Sequence, residues 1–431
     1  MASSSPSPPN GYDIVNVTQW LHGWSSRAIG SNTNNSSSNA TNVTNHVLPL
    51  IDLRSYEQFN HKHLHTDDTT PVIVNLPLET LISGERSCEL PPRHLEFAIL
   101  VPNTYTEVFL SRNSECSIHN LFFASKSSAT QQSRKPWLVR QVILETEHLW
   151  RSEVELLNNI KCSIDRSCES KSSELSFRPL PRLWKPDPLV SSGLLPILKE
   201  WMSNSEDNNQ HTPSMVFDLG SGAGRDVCYL AEETKAFYHN SVLQQQTKEQ
   251  SNNQFPLHFV GVDNHKGSAR RCEPLWRNRM IDDITTSHLL NLNKLDLVKD
   301  CFMNTSFINQ AATNDKSPPR VLCIYAIRFL NRKLLSYLAN STSSDHENGT
   351  SLCLPIGTII AISHFCKPTK TAEWNFDHPK VSNVLDRDEL STLFGRKKND
   401  VDKKWAILND EICHDGDHGR TLIQFIARKI A

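Results

Sequence analysis

Three glycines at alternate positions, Gly220, Gly222 and Gly224, follow a short apolar run that holds one acid, Asp218. Glycine lets the backbone turn sharply and approach a ligand with no Cβ in the way. Residues 226–233 then carry helical character, with Val227, Leu230 and Ala231 on one candidate core face. A helix starting there aims its free N–H groups at whatever the turn holds. Ser221 adds a hydroxyl between the first two glycines. A nicotinamide fingerprint needs its third glycine one place later, where this chain has Arg225. A second acid, Asp263, ends the apolar run Phe259-Val260-Gly261-Val262, with Asn264 beside it. At the carboxyl end of a second parallel strand, such an acid can accept hydrogen bonds from ribose hydroxyls. Its distance from Gly222 exceeds the usual ~20 residues, and a polar stretch over 239–254, rich in Asn and Gln, accounts for the excess.

These residues need strands to position them. A helix is expected over 189–201, capped by Asp187 with Pro188 at its first position and kinked or restarted at Pro196. Residues 215–219 and 259–263 supply the first two strands, and the third is expected near 289–293, just before Leu295 and Asp296. Residues 320–325 supply the fourth, whose carboxyl end delivers Tyr325, Arg328 and Phe329 to the crevice that open α/β sheets use for ligands. The fifth, 357–363, delivers His364, Phe365 and Cys366 to the same edge. Each of these side chains also has a plain alternative: packing for the aromatics, a surface ion pair for Arg328, a packed or surface position for His364. Residues 405–408 and 420–427 read as a closing hairpin. Its turn carries His414, Asp415 and Asp417, but Asp-Gly is ordinary turn chemistry and no metal site is expected.

The pattern Asp-x-Gly-x-Gly-x-Gly, followed by a strand ending in an acid, resembles class I S-adenosylmethionine-dependent methyltransferases over about residues 187–430. Gly224-Arg225-Asp226 with Tyr229-Leu230-Ala231, and Arg328-Phe329-Leu330-Asn331-Arg332, resemble its tellurite-resistance and thiol-methyltransferase branch. The resemblance implies a Rossmann-like α/β sheet of five parallel strands closed by an antiparallel hairpin. It implies S-adenosylmethionine as cofactor, with Asp218, Gly220, Ser221, Gly222 and Gly224 at the methionine part and Asp263 and Asn264 at the ribose. Leu295 and Asp296 would lie near the adenine. Tyr325 would orient the sulfonium or the acceptor, Arg328 would hold an anionic acceptor, and His364 would serve as a general base if the acceptor arrives protonated. The acceptor itself stays open: a small molecule such as a thiol or chalcogen compound, an RNA or protein, or none at all in a binding protein.

Upstream, Ile51-Asp52-Leu53-Arg54, Glu57-Gln58-Phe59, His63-Leu64 and Val74-Asn75-Leu76-Pro77 follow one another in an order that resembles a rhodanese homology domain over about 46–151. In active members the strand corresponding to 98–101 is followed at once by a persulfide cysteine. Here Pro102-Asn103-Thr104-Tyr105 follow, and Cys116 lies too far along. The resemblance therefore implies an inactive docking module that takes a protein partner. Residues 1–45 are expected to be a disordered tail, because 31–45 are nearly all Ser, Asn and Thr. Trp20-Leu21-His22-Gly23-Trp24 is the apolar exception within it. Residues 152–186 read as a linker, and 187–431 as the methyltransferase domain.

At 431 residues the chain is long enough for two or three domains. A formal charge of −2 gives no global field for nucleic acid. The local bases from Lys266 to Arg279 leave an RNA contact possible but less favoured than a solvated helix face. Eleven scattered cysteines, without a Cys-x-x-Cys pair, suit a reducing, cytoplasmic setting. No apolar run approaches the ~18 residues of a membrane helix, and the first residues lack the pattern of a signal peptide.

Overall fold

The computed structural model describes residues 12–15, 19–20, 48–61, 63–66, 72–111, 117–123, 136–145, 162–165, 179–204, 213–242, 255–303, 320–341, 352–369, 371–395, 404–414 and 419–431. The chain divides into two compact units, and the main change between them falls between Lys185 and Pro186.

The first unit is built on a five-stranded parallel sheet. Its elements in chain order are β1 (Asp13–Val15), β2 (Leu50–Asp52), α1 (Tyr56–His61), β3 (His63–Thr66), β4 (Ile73–Asn75), α2 (Leu78–Ile82), β5 (Glu96–Val101), α3 (Asn103–Leu110), α4 (Ser117–Phe122), β6 (Leu138–Leu144) and β7 (Cys162–Asp165). The sheet order is β1-β6-β5-β2-β4. Its central strands are continuously apolar, as a sheet covered on both faces requires, and Phe97 to Val101 are all fully buried. Ser55 opens α1 with a reciprocal cap: its Oγ accepts from Gln58 N at 3.2 Å, and Gln58 Oε1 accepts from Ser55 N at 3.1 Å.

Two spans depart from the sequence expectation. The 1–45 segment contains β1, which pairs in parallel with residues 141–143 of β6. Tyr12 packs against Phe109 and Phe123, and Trp20 is buried with its indole N–H donating to Leu48 O at 3.2 Å. A three-residue strand and single aromatics leave no periodic signal in so polar a stretch. Within the expected 152–186 linker, β7 pairs antiparallel with β3, and Leu183 and Trp184 are buried. Cys116 lies outside the described residues.

The second unit has a single-turn π-helical segment (Leu189–Leu194) running into α5 (Leu195–Asn204). Then come β8 (Ser214–Leu219), α6 (Arg225–Phe237), β9 (Leu257–Asp263), α7 (Lys266–Asn278), β10 (Thr285–Leu289), α8 (Leu295–Met303), β11 (Val321–Ile327), α9 (Arg332–Ala339), β12 (Ile359–Phe365), α10 (Glu389–Phe394), β13 (Trp405–His414) and β14 (Thr421–Lys429). The sheet order is β10-β9-β8-β11-β12-β14-β13, with five parallel strands and an antiparallel pair at one end. This is a Rossmann-like α/β arrangement. The strand order reverses at β8, between β9 and β11, which opens a crevice at the carboxyl ends of these strands. Phe217, Val260, Ile324, Ile362 and Phe425 form one core layer with Val298 and Phe302 of α8, Leu334 and Leu338 of α9, and Leu390 and Phe394 of α10.

The third strand is Thr285–Leu289 rather than 289–293. It lies at the sheet edge and reads Thr-Thr-Ser-His-Leu, so it lacks the apolar run by which a strand is recognised. The apolar positions Leu290 and Leu292 instead belong to the turn that follows it, packing on the core. Among the described residues, no helix is long and apolar enough to cross a membrane.

Candidate active site at the carboxyl end of the second sheet

One register line crosses the sheet beneath the crevice. Gly261 of β9 pairs with Asp218 of β8, Asp218 with Tyr325 of β11, and Tyr325 with Ala361 of β12. Strand partners in register share a face, so the acid and the phenol stand side by side between two small residues. Both are buried, at 2% and 1% exposure. Asp218 Oδ1 and the Tyr325 hydroxyl make no well-formed hydrogen bond, although the hydroxyl lies close enough to the carboxyl to interact with it. Burial, then the charge of Asp226, pushes the Asp218 carboxyl well above the usual carboxylate range, while the neighbouring Tyr325 hydroxyl opposes that rise. Burial and the charges of Asp218 and Asp226 raise the Tyr325 phenol. Buried polar atoms are normally paired, so two adjacent orphans below a crevice point to a ligand that satisfies them.

Above them lies the glycine turn. Gly220, Gly222 and Gly224 all have left-handed backbones, with φ of 79°, 56° and 70°. A Cβ at Gly220 would stand 2.7 Å from Phe329, and one at Gly224 would stand 2.8 Å from the Trp276 ring. The Trp276 indole N–H donates to Gly224 O at 3.1 Å and holds the turn from below. Asp263 accepts from Gly222 N at 2.9 Å through Oδ2 and from His265 N at 2.8 Å through Oδ1. Each carboxylate oxygen keeps a further acceptor site. Asn264 is exposed beside it.

Arg328 follows β11 with φ of 56°, a left-handed conformation that costs a non-glycine residue on the order of 1–3 kcal/mol. Its N–H donates to Ser363 O at 2.7 Å, so the strained turn is tied to β12. The side chain is exposed, and its charge favours the ionised form of Asp226. The next residue, Phe329, covers Gly220.

Two acids that sequence reasoning did not single out for the site complete it. Asp226, in the first turn of α6, accepts from Asp187 N at 3.1 Å. Asp187 in turn caps the π-helical segment through Leu189 N at 3.0 Å and accepts from the Ser363 hydroxyl at 3.1 Å. Asp226 is raised to about 6, first by burial; the Asp187 N–H lowers it and the Asp187 charge raises it. The Arg-Asp pair after the third glycine was visible in the sequence, but its partner 39 residues upstream was not.

The remaining expected residues fall elsewhere. His364 alternates with Ser363 along β12 and so faces the opposite side of the sheet from the Asp218–Tyr325 line. Its Nε2 lies 2.8 Å from Asn383 O, so Nε2 carries the proton, and the bare Nδ1 is buried without a partner. Burial lowers its affinity for a second proton. Strand alternation therefore separates His364 from the groups it was expected to serve. Leu295 and Asp296 begin α8 rather than following the third strand directly. The residues beside Asp263 are those of the turn after β10, where Leu290 N donates to Asp263 O at 2.9 Å. The four-residue shift of β10 is the reason.

No group of three or more His, Cys, Asp or Glu side chains placed to hold a metal occurs among the described residues. No family model and no curated protein matches the chain. Among solved structures it is similar to TehB from Haemophilus influenzae, at 14% identity and a TM-score of 0.29, covering 54% of this chain and 62% of that one. A SAM-dependent methyltransferase from Aquifex aeolicus aligns at 13% identity and a TM-score of 0.31, covering 57% of this chain and 94% of its own. The methyltransferase domain of bacterial CtHen1-C aligns at 12% identity and a TM-score of 0.32, covering 56% of this chain and all of its own.

Proposed function

We propose that the second unit is a methyltransferase that uses S-adenosylmethionine, with a small molecule as acceptor. The orphaned pair Asp218 Oδ1 and Tyr325 hydroxyl, buried beneath a left-handed glycine turn, carries this reading. The residues present fit the group. The acids Asp218 and Asp226 suit its ammonium, the glycine turn offers backbone N–H groups without side-chain obstruction, and the open acceptor sites of Asp263 suit ribose hydroxyls. Bound there, S-adenosylmethionine supplies an electrophilic methyl group on a sulfonium. The chain's part is to position the two partners and exclude water, with Phe329 closing over Gly220 and Arg328 presenting a cation at the mouth. His364 has no place in this scheme.

In the first unit we read a rhodanese-like module without persulfide chemistry. Two observations support it: β5 runs straight into Pro102 and α3, and the first N–H of α3, from Asn103, is taken by Glu145 Oε2 at 3.0 Å. The other Glu145 oxygen accepts from buried Arg54 at 3.3 Å, so the anion position is filled from within the chain. Such a module would dock a protein partner.

An RNA or protein acceptor is the second reading, favoured by the exposed bases Lys266, Arg270 and Arg277 on α7. The buried pairing of Arg279 with Glu232 at 2.7 Å removes one base from that face. Thermal unfolding with and without S-adenosylmethionine tests the main reading. A ligand at ~100 times its dissociation constant stabilises by ~2.7 kcal/mol, and an Asp263→Ala variant should lose most of that rise. No rise at saturating cofactor, in folded protein, overturns it. A loss of RNA binding with added salt would favour the second reading.

A further inference from the structure

From the side chains gathered where β12 ends, we infer that the acceptor is a planar aromatic anion; this rests on the methyltransferase reading above. Phe365, the last residue of β12, lies with the Arg420 guanidinium 4.6 Å from its ring centroid and that of Arg328 at 5.9 Å. Two guanidiniums thus share one ring at the carboxyl edge of the sheet. Arg420 is fixed by donating to His378 O at 3.3 Å.

The same ring opens an aromatic wall. Trp374 meets Phe365 edge-on at 6.1 Å, and Phe376 follows at 5.0 Å from Trp374. The Trp374 indole is anchored by donating to Pro379 O at 2.9 Å, so it presents a fixed face. Phe376 is 40% exposed although the wall is otherwise packed. The wall is continuous with the cofactor residues through one short connection. Phe329 covers Gly220, and Arg328 beside it reaches Phe365.

Aromatic faces select a flat ring by offset or edge-to-face contact, and paired guanidiniums select its anionic group. A group that arrives already ionised needs no base, which agrees with His364 lying on the other face of the sheet.

Isothermal titration calorimetry on the full chain tests this, first with S-adenosylhomocysteine and then, on the loaded protein, with 2-naphthoate. The comparators are 2-naphthylmethanol, which lacks the charge, and cyclohexanecarboxylate, which lacks the aromatic ring. Naphthoate should bind at least about tenfold tighter than either. Arg420→Met and Trp374→Leu should each weaken naphthoate by about tenfold while binding S-adenosylhomocysteine like the wild type. Equal affinity for all three probes, or variants that bind naphthoate unchanged, would overturn the inference and leave the cofactor site standing. A protein that takes up no S-adenosylhomocysteine would overturn the methyltransferase reading itself.

Discussion

The affinity of the crevice for S-adenosylhomocysteine should fall as pH drops through the titration of Asp226. Asp226 titrates at about 6, raised by burial despite the Asp187 N–H it accepts. A ligand ammonium placed by the glycine turn favours the ionised form. At pH 5 about one Asp226 in eleven is ionised, so a ligand that requires the carboxylate binds about elevenfold more weakly than at pH 8. Asp218 is also raised, by burial, and adds to the fall in the same direction. The assay is calorimetry at pH 5, 6, 7 and 8 in two buffers of different ionisation enthalpy, which also reads the protons released on binding. Asp226→Asn should flatten much of the slope above pH 5. An affinity equal at pH 5 and pH 8, or an Asp226→Asn variant with the full wild-type slope, would refute the assignment of these acids to the ligand's ammonium.

Asp226 also links the stability of the free protein to pH. Its folded value lies above the unfolded 3.8, so the folded form keeps a proton that the unfolded chain releases between about pH 4 and 6. The stability of this unit therefore falls across that window, and Asp226→Asn should be the more stable form by about 1–3 kcal/mol at pH 8 but not at pH 4, as read from the melting transition that S-adenosylhomocysteine shifts. Gly220→Ala must take a left-handed backbone, at about 1–2 kcal/mol, and push Phe329 aside. It should lower that melting point and weaken S-adenosylhomocysteine by more than about tenfold, and unchanged binding would contradict the role of the turn. In the first unit, Arg54→Met would leave Asp52 buried without its 2.6 Å partner. A loss of about 3–5 kcal/mol is expected at pH 7, read from denaturant midpoints. Burial already raises Asp52 in the presence of Arg54, so the deficit should shrink as pH falls and the carboxyl takes up its proton.

What could be read from the sequence were features that are local and repeated. The alternate glycines after Asp218 have the left-handed backbones that their spacing announces, and Asp263 ends its strand beside them. The apolar runs of β8, β9, β11 and β12 are strands because a sheet buried on both faces needs continuous apolar residues. Illegible features depended on distant partners or weak local chemistry. Thr285–Leu289 is a polar edge strand, and β1 has three residues in a tail of Ser and Asn. The Asp187–Asp226 contact joins residues 39 apart, and the left-handed backbone at Arg328 has no composition signal at all. His364 lies on the other face of the sheet from the Asp218–Tyr325 line by parity, since one residue along a strand changes the face.

The most direct measurement of the central claim is amide hydrogen exchange of the full chain with and without saturating S-adenosylhomocysteine. Protection should rise at 220–225, at 263–265 and in the turn 290–293, with little change in the first unit. Unchanged exchange at all three stretches under saturating ligand would contradict the placement of a cofactor site at the carboxyl end of this sheet.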